Sequence, residues 1–346
     1  MIYSIGTKVQ SGKGGISTAI VGFATAKPLL DKGVKFISSH DEEGGKVIPF
    51  FKAFKTVLCE VKKDDVVWLH CGRWLSMLRK LLLAGVAKMK GAKVVFHFHA
   101  DVTADYLDFY FGRCLIASQC RLADGIVVLS PWWKRLLVQR FSKFAKKIEV
   151  IANPLDAELL SLVQSAVVKR QENTEIKLLA MSRLVKGKGF EETIRAMRVL
   201  PDCYSLSIAG TGIMEYELKQ LVENLGIAQR VRFLGWVNYQ EKAKVFQEHD
   251  IFVLPSQNDS FGMVYLEAMA IGLPVVAAKY RAIPDVVPDG SAGVLIQNVE
   301  PHSLAQAVIK CSENQTGFGN FGKCYAQTAF NKDQLAAKLL TFFETL

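Results

Sequence analysis

Two apolar patterns alternate along the chain. Short runs rich in valine and isoleucine, "IYSIG", "KFISS", "VVWLHC", "KVVFHFHAD", "GIVVLS" and "IEVIAN", predict strands in the first half. "IKLLAMSRL", "YSLSIAG", "VRFLGWV", "IFVLPS", "PVVAA" and "GVLIQ" predict strands in the second. Between them, segments such as "WLSMLRKLLLAGVAKMKG", "PWWKRLLVQRFSKFAKK", "GFEETIRAMRVL", "MEYELKQLVENLG" and "YQEKAKVFQEH" have helical spacing, and "VYLEAMAIG" reads as an apolar helix. Alternation of this kind implies parallel sheets with helices on both faces.

The chain of 346 residues is longer than one core usually holds. Two α/β sets meeting near "IANPLDAELL" imply two domains, with expected bounds 1–155 and 156–330 and a last helix, 331–346, returning to the first. The polar, aperiodic stretch "QSAVVKRQENTE" falls near the boundary. Open α/β sheets take ligands at the carboxyl ends of their strands, and the unusual residues fall there. His97 and His99 end one strand and Ser130 another. Arg183 and Lys188 follow a third, Gly210 and Gly212 a fourth, Asp259 a fifth. They are expected to converge on a cleft between the domains.

Charge sharpens this picture. Residues 1–150 hold 24 Lys/Arg against 12 Asp/Glu, and residues 151–346 hold 19 against 21, so the net charge of +10 comes wholly from the first half. That asymmetry points to a polyanionic partner: nucleic acid, an acidic membrane or a phosphorylated ligand. The seven cysteines include no C-x-x-C pair, so neither a disulfide scaffold nor a zinc site is expected, and a reducing cytoplasm fits. No leader and no membrane-spanning apolar run is read.

Each motif has a structural and a chemical reading. "SGKGGIST" fails the Walker A spacing, because Thr7 stands at the first glycine position and Gly14 follows Lys13. What is left is a glycine-rich turn before a helix, suited to a phosphate or simply to a tight βα connection. In "MSRLVKGKGF", Arg183 and Lys188 could clamp a diphosphate, with Gly187 and Gly189 allowing close approach; the alternative is surface charge. His97 and His99 point to one face, and no third metal ligand stands at a suggestive spacing, so a polar core group is the competing reading. "SIAGTGIME" is a generic nucleotide turn. "DSFG" leads a helix from Met263, whose amino end with Gly262 can cradle an anion. Helix-end electrostatics could account for Asp259, worth about 0.3–1 kcal/mol. They do not account for Glu267 between Leu266 and Ala268, where a carboxylate suits paired hydrogen bonds from sugar hydroxyls.

The order and spacing of "GG", "HFHAD", "NPLD", "SRLVKGKGF", "GTG", "FLG" and "PSQNDSFGMVYLEAMAIGLPVV" resemble a family-4 retaining glycosyltransferase over nearly the whole chain. The resemblance implies an α/β GT-B fold, with two Rossmann-like domains facing each other across a cleft. The family's Glu-x7-Glu appears here as Asp259-x7-Glu267, which leaves the donor and the geometry around the sugar open. By resemblance, Glu267 holds the ribose of a sugar nucleotide, and Asp259 binds donor-sugar hydroxyls at the reacting centre. Arg183 and Lys188 meet the diphosphate with the backbone of Gly15, Phe261, Gly262 and Met263. His99 contacts the donor sugar, Gly212 lies at the nucleotide, and residues around Gly235 to Val237 lie near the base. The resemblance further implies retention by front-face displacement with no metal and no cofactor, in agreement with the lack of a D-x-D motif. A UDP-sugar donor is favoured, with a surface glycan such as lipopolysaccharide, O-antigen or capsule as acceptor.

Many relatives use lipid-linked acceptors at an inner bacterial membrane. In "PWWKRLLVQRFSKFAKK", Trp132, Trp133, Phe141 and Phe144 lie among cations, which predicts peripheral contact with an anionic membrane. Leu136 and Leu137 packing inward is the structural alternative, and nucleic-acid binding lacks a motif. The competing functions are an epimerase or phosphorylase of the same fold, and a non-catalytic nucleotide-sugar-binding subunit.

Overall fold

Among the described residues every strand ladder is parallel, and the strands form two six-stranded sheets. This computed structural model describes residues 1–9, 15–40, 45, 47–100, 102–155, 157–165 and 175–346. Much of the glycine-rich loop, Asp101 of "HFHAD", Asp156 of "NPLD" and most of "QSAVVKRQENTE" lie outside the described residues. Two compact units divide the chain: Met1–Asp156 with Phe330–Leu346, and Ala157–Ala329.

The first unit begins with β1 (Ile2–Thr7), α1 (Gly15–Ala24), α2 (Lys27–Asp31) and β2 (Lys35–His40). It continues through α3 (Val47–Cys59), β3 (Val66–Cys71), α4 (Trp74–Met89) and β4 (Lys93–Phe98). Then come α5 (Val102–Tyr106), α6 (Tyr110–Leu122), β5 (Gly125–Val128), α7 (Pro131–Arg140) and β6 (Ile148–Val150). The second unit runs α8 (Ala157–Ser165), β7 (Ile176–Met181), α9 (Phe190–Met197), β8 (Tyr204–Ala209), α10 (Glu215–Asn224) and β9 (Val231–Gly235). It continues with α11 (Tyr239–Gln247), β10 (Ile251–Leu254), α12 (Met263–Ile271), β11 (Val275–Ala278), α13 (Ile283–Val286) and β12 (Gly293–Ile296). The last helices are α14 (Pro301–Glu313), α15 (Gln315–Ala329) and α16 (Lys332–Glu344).

Strand order is β2-β1-β3-β4-β5-β6 in the first sheet and β12-β11-β10-β7-β8-β9 in the second. Each order reverses once, between β1 and β3 and between β7 and β10, so a crevice opens at the carboxyl ends of those pairs. The inner strands β1, β3, β5 and β10 are buried at every position, which is why they read as continuous apolar runs. α16 belongs to the first unit. Its Leu339 and Phe343 share a core cluster with Phe23, Leu29, Trp68 and Val95. Asn331 caps it by accepting from the backbone N–H of Asp333 and Gln334.

Trp133, Leu137 and Phe144 of the basic aromatic segment are buried in the first unit, while Trp132 and Phe141 are half-buried. All seven cysteines are free, and among the described residues no helix is long and apolar enough to cross a membrane.

Candidate active site

In the second unit the loops after β7 and β10 are neighbours because their strands pair across the switch point. Gly189 brings them close: its φ is +83°, and a β-carbon there would stand 2.7 Å from the Pro255 carbonyl oxygen. Gln257 N–H donates to the Gly187 carbonyl at 2.8 Å, stitching the loops together. The two sequence motifs thereby meet. Lys188 Nζ lies 2.7 Å from Asp259 Oδ1 and donates to the Asn258 carbonyl at 2.7 Å, with both side chains largely removed from solvent. The other carboxylate oxygen, Asp259 Oδ2, is buried and makes no hydrogen bond within the protein. An ionised oxygen in that state is a strong acceptor for a hydroxyl group brought to it.

Just beyond lies the amino end of α12. Gly262 has φ +83° beneath the ring of Tyr265, where a β-carbon would come within 2.3 Å. The Tyr265 hydroxyl donates to the Leu254 carbonyl at 2.8 Å and so holds this turn against the end of β10. No side chain caps α12, and its first turn carries no acid. Its leading N–H groups and helix dipole therefore present positive potential beside Asp259.

Glu267 departs from its expected surroundings. It is buried on α12, and Lys242 of α11 lies 2.5 Å from its Oε2. The carboxylate assigned by resemblance to ribose hydroxyls is thus ion-paired within the protein. Lys242 gave no sequence signal, because it sits among several charges on an amphipathic helix. Arg183 is exposed in the loop after β7, and Val237 is half-buried just after β9. Gly212 is exposed, in a turn joined to the first loop by Leu184 N–H donating to the Thr211 carbonyl and Met214 N–H to the Leu184 carbonyl.

His99 lies in the first unit, and here the structure supplies the missing third histidine. His70 on β3 stands directly across from His97 on β4. Nitrogens of His70, His97 and His99 lie within 4.8 Å of one another, and all three side chains are buried. His70 Nδ1 and His99 Nε2 share a hydrogen bond at 2.9 Å, and Ser4 Oγ engages the other nitrogen of His70 at 3.0 Å. The His97 and His99 rings are tilted by 36° with centroids 4.0 Å apart, and His97 stacks on Trp68. Both ring nitrogens of His97 are buried without a hydrogen-bond partner among the described residues, so the cluster keeps donor atoms that a metal ion or a polar group could meet. Burial pushes the His70 and His97 pKa values well below the ordinary histidine value and brings His99 down to about 3, against a smaller upward pull from Asn153. At neutral pH His99 is an uncharged hydrogen-bonding group, with no role open to it as a proton donor of ordinary strength.

The fold is that of the GT-B glycosyltransferases, and the comparisons with known proteins agree. The family model "Glycosyltransferase Family 4" matches residues 24–159, and "Glycosyl transferases group 1" matches residues 165–327. The chain belongs to the family-4 glycosyltransferases. It is 32% identical to a D-inositol 3-phosphate glycosyltransferase of Corynebacterium diphtheriae, over 62% of this chain and 54% of that protein. The chain thus spans about half the length of that relative. It is 29% identical to an uncharacterized 41.2 kDa protein in the cps region of Klebsiella pneumoniae, over 86% of this chain and 87% of the other. Anabaena Alr3699/HepE, solved in complex with UDP, superposes with a TM-score of 0.77 over 100% of both chains at 19% identity.

Proposed function

We propose that the protein is a retaining, metal-independent hexosyltransferase that moves a hexose or aminohexose from a UDP-sugar to a growing bacterial surface glycan. The observation that carries this reading is the Lys188–Asp259 pair, with Asp259 Oδ2 unengaged beside the uncapped start of α12. One acceptor oxygen, one cation and a positive helix end stand together, and a sugar diphosphate needs such groups side by side. The complex of the Anabaena protein with UDP supports the choice of base, and the relative from the cps region supports a surface-glycan acceptor.

In this reading the diphosphate rests on the N–H groups of Phe261, Gly262 and Met263 and is met by Arg183 and Lys188. Asp259 Oδ2 accepts from a donor-sugar hydroxyl. As the bond from the anomeric carbon to the β-phosphate oxygen breaks, charge gathers on the diphosphate, where cations and helix end stabilise it. The acceptor hydroxyl attacks from the same face, and its proton passes to the departing phosphate oxygen. Glu267 holds the ribose hydroxyls beside its ion pair with Lys242. The protein works at the inner face of the cytoplasmic membrane, touching anionic lipid through its basic first unit.

A thermal-shift titration with UDP, GDP and ADP, each with and without magnesium, tests the reading. UDP at a hundredfold excess over its Kd should stabilise the second unit by about 2.7 kcal/mol without metal. Asp259→Asn should keep that shift while sugar transfer falls at least a hundredfold, about 2.7 kcal/mol in the barrier. No shift with any nucleotide would sink the proposal.

A further inference from the structure

Glu267 is the sole charge on α12, where every residue except Val264 and Ile271 is buried. A buried ion pair seldom stabilises a fold more than the apolar pair that would replace it. A carboxylate and a lysine kept together at this position therefore point to use by a ligand.

The lysine comes from the neighbouring helix. α11 packs on α12, and its start is fixed by Asn238, whose side chain accepts from the Glu241 N–H. Ala243 and Phe246 turn into the core. Lys242 stands at the edge of that contact, its side chain 21% exposed. Asn238, Tyr239, Val245 and Phe246 occupy the positions three and four residues away, so α11 itself places no acid to hold it. Its ammonium instead meets Glu267 Oε2 at 2.5 Å.

Neither group is exhausted by the other. Among the described residues, Oε2 touches the ammonium but has no partner in hydrogen-bonding geometry, so a lone pair is left for a hydroxyl. The ammonium has three N–H donors and a partly open side chain. An acceptor and a donor thus stand side by side, on helices that leave the carboxyl ends of β9 and β10. Position along α12 suits a ribose. Glu267 lies four residues past Met263, about 6 Å along the helix from the uncapped end, and a ribose follows its diphosphate by a step of that order.

We propose that Lys242 is a second reader of the donor ribose. While ion-paired to Glu267 it donates to one hydroxyl of the vicinal diol, and the other hydroxyl donates to Glu267. The inference rests on the nucleotide-sugar reading above and adds to it the residue that makes the site demand a ribonucleotide. Isothermal titration of the full chain with UDP, 2'-deoxy-UDP and 3'-deoxy-UDP tests it. Each deoxynucleotide should bind the wild type about tenfold more weakly than UDP, or worse. Lys242→Met should weaken UDP by about tenfold or more, yet weaken one of the deoxynucleotides by less than about threefold, because the hydroxyl that Lys242 meets is already missing there.

A lysine that served only the fold would weaken all three nucleotides alike. Equal losses in the variant, or unchanged UDP affinity, would overturn the assignment and leave the sugar-transfer reading standing. Should Lys242→Met fail to fold, Lys242→Gln is judged by the same comparison. No binding of any ribonucleoside diphosphate by the wild type would overturn the sugar-transfer reading, and this assignment with it.

Discussion

Lys80 points into the first unit from α4, fully buried, with its ammonium donating to Ser39 Oγ. Burial lowers its pKa from 10.5 to about 8, so near pH 7 the fold retains a charge it solvates poorly. The unfolded chain binds this proton more readily than the folded one between those two values. The destabilisation is therefore full below about pH 8 and fades as pH rises to 10.5. Lys80→Met should raise the unfolding free energy of the first unit by about 1–3 kcal/mol at pH 7. Urea titrations at pH 7 and pH 10 check this; an equal gain at both would exclude the charge as the cause. At the same scale, Asp259, Lys188 and Glu267 stood out in the sequence because each broke a local pattern. His70 and Lys242 broke none: finding the first needs the register of β3 on β4, and finding the second needs the approach of α11 to α12.

Among the elements, the strands were the most legible, since a strand covered on both faces needs valine and isoleucine at nearly every position. The helices show the limit of that logic. α3 and α6 were not among the helices named from the sequence; α3 buries Ala53 and Val57 and exposes Lys52 and Lys55, but it exposes Val47, Ile48 and Phe51 as well. α7 showed a clear aromatic and basic pattern whose orientation the pattern did not contain. α12 was legible by its borders, glycine at each end. Its entry is also its weakest point to substitution. Gly262→Ala would place a methyl group against the Tyr265 ring in a left-handed backbone conformation, and should cost about 2–4 kcal/mol while abolishing the UDP shift. Chemical denaturation beside nucleotide titration checks both halves; unchanged UDP binding would remove the α12 entry from the diphosphate site.

The whole molecule holds two cores of different construction, and they can be perturbed separately. Leu339 of α16 is fully buried in the first unit. Leu339→Ala should therefore destabilise that unit by about 2–5 kcal/mol and leave the UDP-dependent transition of the second unit in place. Calorimetry with and without UDP would show one transition moving and the other not; joint movement would mean the units unfold as one. The location of α16 has a further consequence, for biogenesis. The chain leaves the first unit after Leu155 and re-enters it at Phe330, where the Leu155 N–H donates to the Phe330 carbonyl at 2.9 Å. The second unit is continuous in sequence and can close as soon as it emerges from the ribosome. The first, although its strands are made earliest, must wait for α16 to complete a core that α1 and α2 cover only in part. During that interval the nascent chain exposes Trp68 and Val95 of the unfinished core, so the stage of synthesis most in need of a chaperone falls on the half that was translated first.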